Sequence, residues 1–247
     1  MRESDRHRIG DAQLTAAAEA PSREMNNRLN DDPTIVEVLA ELEARPDVLG
    51  VAVFGSTARR DQRPNSDIDL YVLVSEGSWR DVDERGGRNF EYVFSSEADS
   101  RAFWKGQPDE FVKMWSEGHI LFDKTGKLQE FRDEAASLRQ QGRPRLDERS
   151  VRHLEFDARD SLRAVEALQK SDPPTAALSL HKLLEALSSL SFALDGQWVP
   201  APKERLRVLR EKSPDMARAF DDFYLSPDFE SSLAAAREVV DRVFAAK

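Results

Sequence analysis

Apolar residues in this chain follow two patterns. Between residues 31 and 142, short and almost wholly apolar runs alternate with helical periods, whereas beyond 147 only helical periods occur. DDPTIVEVLAELEARP predicts a helix with Asp32 as N-cap and Pro33 at its first position. Its stripe of Ile35, Val36, Val38, Leu39 and Leu42 would pack on a sheet. VLGVAVFG then reads as a strand covered on both faces that stops at Gly55 and Ser56. After a polar turn, DIDLYVLV (67–74) predicts a second strand. A polar, Gly-rich excursion carrying Asp81, Asp83 and Glu84 reads as solvated surface, and NFEYVFSS (89–96) follows it as a third strand. SSEADSRAFWKG opens on serines suited to capping a helix. HILFD (119–123) is one more short strand before a helix ending near Gly142.

From Asp147 the pattern changes. Val151, Leu154, Ala158, Leu162, Val165 and Leu168 recur at helical spacing and predict one long amphipathic helix. Pro173 and Pro174 end it and start a second helix through Leu194. DGQWVPAPK then turns the chain into shorter helices that run to 247. The expected fold is an α/β domain over 31–144 followed by an all-α domain over 145–247, with the boundary in QQGRPRLD. Residues 1–30, without a sustained apolar period, read as a polar arm.

Composition narrows the chemistry. The 247 residues, 40 % of them apolar, suffice for a real core. No run approaches the ~20 apolar residues of a membrane span, and the first residues lack the apolar stretch of a secretory signal, so no membrane partner and a cytoplasmic location are expected. Cysteine is absent, and the four histidines contain no HExxH pair, which leaves a hard, oxygen-bound cation as the metal to consider. The net charge of −10 opposes a grip on long nucleic acid. It favours a cationic small molecule, although acidity serves solubility equally well.

The informative stretch is VFGSTARRDQRPNSDIDLYVLV. Residues i and i+2 of a strand point to one face, about 6–7 Å apart, so Asp67 and Asp69 aim into one site while Ile68 and Leu70 enter the core. Two converging carboxylates repel unless a cation lies between them, and magnesium favours an oxygen site completed by substrate phosphates. Gly55 lets the backbone approach a phosphate, Ser56 offers a hydroxyl and an amide, and Arg59 offers a forked donor. Glu91, in the next strand, is a third ligand or a general base, with Phe90 and Tyr92 on the opposite face. Two metals about 3.5–4 Å apart would then activate the acceptor oxygen and stabilise the leaving pyrophosphate.

These residues resemble the DNA polymerase β-like nucleotidyltransferase superfamily, whose hG[GS] and Dh[DE]h signature reads FGS at 54–56 and DIDL at 67–70, ten residues apart. GSTAR is similar to the version in kanamycin nucleotidyltransferase-like enzymes, and FEYVF to the strand that supplies the third carboxylate. Similarity of motifs covers about residues 50–95. The two-domain layout, in which a helical domain follows a small mixed sheet and closes over the acceptor, extends it to the whole chain. The resemblance implies magnesium, two ions, with Asp67, Asp69 and Glu91 as ligands, and Lys203 in GQWVPAPKERLRVL as a triphosphate contact. It implies an acceptor site in the helical domain, for which Glu155, Glu185 and Trp198 are candidates, with Glu185 also placed to pair with His181 four residues earlier.

Transfer of a nucleoside monophosphate from a triphosphate, ATP first among them, to a hydroxyl of a small polar acceptor is the expected reaction. An aminoglycoside-like antibiotic is the leading acceptor. Modification of a protein hydroxyl, as in minimal nucleotidyltransferase antitoxins, and nucleotide binding without turnover are the alternatives. A homodimer is compatible with all three.

Overall fold

The computed structural model describes residues 32–59 and 66–245. The polar arm expected over 1–30 lies outside the described residues. The chain parts into two compact units between Ser137 and Leu138.

In the first unit, helix α1 (Pro33–Ala44) starts as the sequence predicts. Asp32 accepts from the Thr34 and Ile35 amides, and Pro33 occupies the first turn. Strand β1 (Val48–Phe54), the one-turn helix α2 (Gly55–Arg59) and strand β2 (Ile68–Val74) follow. Next come β3 (Ser78–Arg85), β4 (Arg88–Ser96), helices α3 (Glu97–Lys105) and α4 (Pro108–Glu117), β5 (His119–Asp123) and helix α5 (Lys127–Gln141). The five strands form a mixed sheet in the order β3-β4-β2-β1-β5. Only β2 and β4 run parallel.

The excursion carrying Asp81, Asp83 and Glu84 is not a loop, as the sequence suggests, but edge strand β3, hairpinned to β4 through Gly86–Gly87. Its side chains are nearly all exposed, so the strand lacks the buried face that makes a strand visible as an apolar alternation. Charged side chains on such an edge oppose pairing with other chains. Val36 also departs from expectation: at 42 % exposure it lies off the buried stripe of Ile35, Val38 and Leu42.

Strand register sorts the side chains into two faces. Val51, Val53, Leu70, Val72, Tyr92 and Phe94 pack with α1 on one. Phe54, opposite Asp69, and Tyr71, two residues beyond Asp69, lie on the other, where α3, α4 and α5 bring Trp104, Phe111, Trp115 and Phe131 into edge-to-face and tilted ring contacts. An aromatic wall therefore lies directly behind the mouth of β2.

The second unit is all-α: α6 (Glu148–Leu168), α7 (Pro173–Leu194), α8 (Pro202–Lys212), α9 (Pro214–Tyr224) and α10 (Phe229–Phe244). Its core joins Leu162, Val165, Leu180, Leu184, Phe220 and Val240. Asp147 and Asp172 cap α6 and α7 through the Ser150 and Thr175 amides. No helix among the described residues is long and apolar enough to cross a membrane.

Within the wall, the Tyr71 hydroxyl is hydrogen-bonded to Ser100 Oγ, which donates to Ser95 Oγ at 2.8 Å. Burial pushes the Tyr71 phenol up to about 12. Unfolded tyrosine ionises near pH 10, so between pH ~10 and ~12 the folded state holds a proton that the unfolded state releases, and stability falls as pH rises across that window. The loss is about 2–3 kcal/mol at the upper end. Denaturant unfolding at pH 9 and 11.5 should show a steeper loss for the wild type than for Tyr71→Phe.

Candidate active site

The site is built at the end of β1. After Phe54 the backbone turns at Gly55 with φ +66°, a left-handed conformation that costs other residues about 1–2 kcal/mol. Space imposes the same choice, since a Cβ at Gly55 would fall 1.8 Å from Asp69 Oδ2. The Asp69 carboxylate therefore lies over the bare backbone of the turn. α2 carries Ser56, half-buried beside buried Thr57 and Ala58, and ends at Arg59. With only five residues it has little macrodipole, so any attraction for anions there comes from individual amides, the Ser56 hydroxyl and Arg59.

Phe54, on the same sheet face as Asp69, turns its ring to helix α4. Its ring packs edge-on against Trp115, with centroids 5.3 Å apart, and passes over Gly118, where a Cβ would lie 2.0 Å from Phe54 Cε1. Two glycines thus flank one junction: Gly55 admits a carboxylate and Gly118 admits a ring.

The parallel pairing of β2 and β4 sets Asp69 opposite Glu91, with Ile68 opposite Phe90 and Leu70 opposite Tyr92. Phe90 and Tyr92 are buried while Glu91 is exposed, so Asp69 and Glu91 share the face that Ile68 and Leu70 avoid. Asp67 immediately precedes β2, and strand alternation places it on the side of Asp69. Among the described residues neither Asp67 nor Glu91 forms an ion pair, and no three His, Cys, Asp or Glu side chains are gathered closely enough to hold a metal as they stand. A hard cation nevertheless suits the donor set. It consists of carboxylate oxygens alone, on neighbouring strands, open to solvent on the Glu91 side, and needs further oxygens that a polyphosphate would supply.

Arg59 is engaged within this unit. Its Nη1 donates to Glu117 Oε2 at 3.1 Å, with 18 % and 29 % of the two side chains exposed. Glu117 is the last residue of α4, 58 residues further along the chain. Nothing in the linear sequence marks it beyond an acid between Trp115 and Gly118.

The remaining candidates belong to the second unit. Lys203 is exposed in the first turn of α8. Trp198 is half-buried, and its Nε1 has no hydrogen-bond partner among the described residues. Glu155 pairs with Arg159 at 2.9 Å, which also reaches Asp241. Glu185 does not pair with His181, contrary to the helix-spacing expectation. It takes Arg205 at 3.0 Å, and His181 Nδ1 instead lies 3.0 Å from the Ala177 carbonyl. Arg205 wins because its fork also donates to Pro200 O and Ser188 Oγ, tying the turn before α8 onto α7.

Residues 35–127 match the family model for polymerase beta nucleotidyltransferases. No curated protein matches the chain. Among solved structures, the chain is similar to a nucleotidyltransferase-like protein from Exiguobacterium sibiricum 255-15, with 16 % identity over 85 % of this chain and 73 % of that one and a TM-score of 0.50, a likeness of fold. Weaker matches include spectinomycin adenyltransferase AAD(9) from Enterococcus faecialis with ATP and spectinomycin (12 % identity, 81 % and 92 % covered, TM-score 0.35). A toxin-antitoxin structure with AMP-PNP matches at 17 % identity, 42 % and 85 % covered, with a TM-score of 0.27.

Replacing Gly55 by alanine should lower unfolding free energy by at least about 1–2 kcal/mol from the backbone alone, and by more because Asp69 must move. Denaturant titration measures this, and an unchanged midpoint would contradict the close approach of Asp69 to the turn.

Proposed function

We propose that this chain, whose residues 35–127 match the family model for polymerase beta nucleotidyltransferases, transfers a nucleoside monophosphate from a triphosphate, ATP first among them, to a hydroxyl of a small polar acceptor. The observation that carries this reading is the register of Asp69 with Glu91 beside a glycine turn that a carboxylate touches.

In the proposed reaction Asp67, Asp69 and Glu91 hold magnesium. The ion, when bound, supplies charge neutralisation at the phosphate oxygens and a more acidic acceptor hydroxyl. Ser56, through its hydroxyl and amide, and Arg59, through its guanidinium, orient the phosphates. The acceptor oxygen attacks the α-phosphorus in line. Its bond to phosphorus forms as the bond from that phosphorus to the bridging oxygen breaks, and pyrophosphate departs. The hydroxyl proton passes to a carboxylate base, for which Glu91 is the candidate in this unit, or to water. The second unit is proposed as the acceptor-binding unit, with Glu155, Glu185 and Trp198 as acceptor contacts and Lys203 as a phosphate contact.

The net charge of −10 supports a cationic acceptor such as an aminoglycoside-like antibiotic. The support is general, because Glu155 and Glu185 each already hold an arginine.

Asp67→Asn or Asp69→Asn should lower turnover by about a hundredfold to a thousandfold or more while circular dichroism stays unchanged, since the amide keeps the size and loses the charge. Glu91→Gln should behave alike, and Glu84→Gln, on edge strand β3, should be silent; equal and near-normal activity in both returns Glu91 to the surface. The substrate test incubates the protein with magnesium and each nucleoside triphosphate against a panel of hydroxylated antibiotics and a cell lysate, and follows monophosphate adducts by mass spectrometry. Adducts on small cationic hydroxyl compounds are expected. Label on protein alone would overturn the acceptor class, and bound nucleotide without any adduct would overturn the reaction.

A further inference from the structure

Helix α4 ends in Trp-Ser-Glu and is capped by Gly118, and three of those four residues touch the junction after β1. Trp115 packs on Phe54, Gly118 receives the Phe54 ring, and Glu117 accepts from Arg59. The first two contacts fix where the C-terminus of α4 lies relative to the turn. That in turn fixes where the Glu117 carboxylate meets the guanidinium.

From this geometry we infer that Glu117 is a positioning residue for nucleotide binding: it holds Arg59 in place at the mouth of β1 so that the arginine meets the triphosphate already ordered. The inference rests on the reading that Arg59 faces the phosphates. A free arginine side chain carries rotamer entropy, which an anion must offset when it immobilises the fork. Arg59 ends a helix of only five residues, and the bond to Glu117 is one of the contacts that hold its largely buried side chain. The partly buried bond to Glu117 supplies the restraint before the ligand arrives, which is preorganisation in the ordinary sense.

A second effect has the opposite sign. The Glu117 charge offsets part of the Arg59 field, and removing it would strengthen attraction for phosphate. The restraint should win because a planar fork with directed donors depends on orientation, whereas the bond to Glu117 engages only one of its donors and leaves the charge of the fork free to act on phosphate.

The test is a double-mutant cycle read as the dissociation constant of AMP-PNP with magnesium by calorimetry, in the full-length protein. Glu117→Ala should weaken binding about fivefold to tenfold, the scale of a lost charged hydrogen bond. Glu117→Gln keeps an acceptor oxygen for Nη1 and should stay within about twofold of the wild type. In the Arg59→Ala background, Glu117→Ala should add nothing, which a merely structural role would not reproduce. Should Glu117→Ala melt below the assay temperature, Glu117→Asp, with the same charge one methylene short, takes its place and must show the same dependence on Arg59. Tighter or unchanged binding in Glu117→Ala, or an equal loss with and without Arg59, overturns the inference while leaving the phosphate site in place. Unchanged binding in Arg59→Ala overturns the phosphate reading itself, and the inference with it.

Discussion

The Asp69 carboxylate and the Gly55 backbone share a volume that a single methyl group would fill, and the rest of the site depends on that proximity. Because the turn has no side chain, the carboxylate can lie over the end of β1 instead of being held off by a Cβ. Because the turn is left-handed, the chain leaves the sheet abruptly and α2 starts at once. Phe54 must then find room elsewhere. It does so among Trp115, Tyr71 and the bare backbone of Gly118, in a wall of rings that contributes much of the apolar burial on that face. Polar chemistry at the sheet mouth and hydrophobic packing behind it are two sides of one junction.

Electrostatics divides the molecule differently from its total charge. Many of the acids are locally matched: Glu117 by Arg59, Glu155 and Asp241 by Arg159, Glu185 by Arg205, Glu166 by Arg237. The exposed pairs among them contribute little to stability, but each pair quenches the field around its acid. Asp67 and Glu91 lack such pairs among the described residues.

Much of this was legible in the sequence wherever burial was uniform. VLGVAVF and DLYVLV lie in the middle of the sheet, covered on both faces, and their apolar runs say so. The alternation in NFEYVF placed Glu91 on the face opposite Phe90 and Tyr92 before any pairing was known. What stayed hidden depended on neighbours distant along the chain. β3 has no buried face to produce a pattern, and its existence follows from hydrogen bonding to β4 rather than from its own composition. Glu117 lies 58 residues from Arg59, and helix spacing offered His181 to Glu185 while the fold brought Arg205 from another helix. Periodicity reports burial; it does not report which charge finds which.

The parallel register of β2 and β4 also makes the position of the third carboxylate discontinuous. On the face that carries Glu91, the adjacent side chains belong to Asn89 and Val93, each two residues away, which is about 6–7 Å along the strand. A carboxylate moved to either would overshoot Asp69 by more than the span of a shared ion, and a one-residue slip would turn it into the core. Gradual adjustment of that distance is therefore closed to this sheet. Divergence among chains built this way must act through side-chain length at one rung, glutamate against aspartate, or through the loops that surround it.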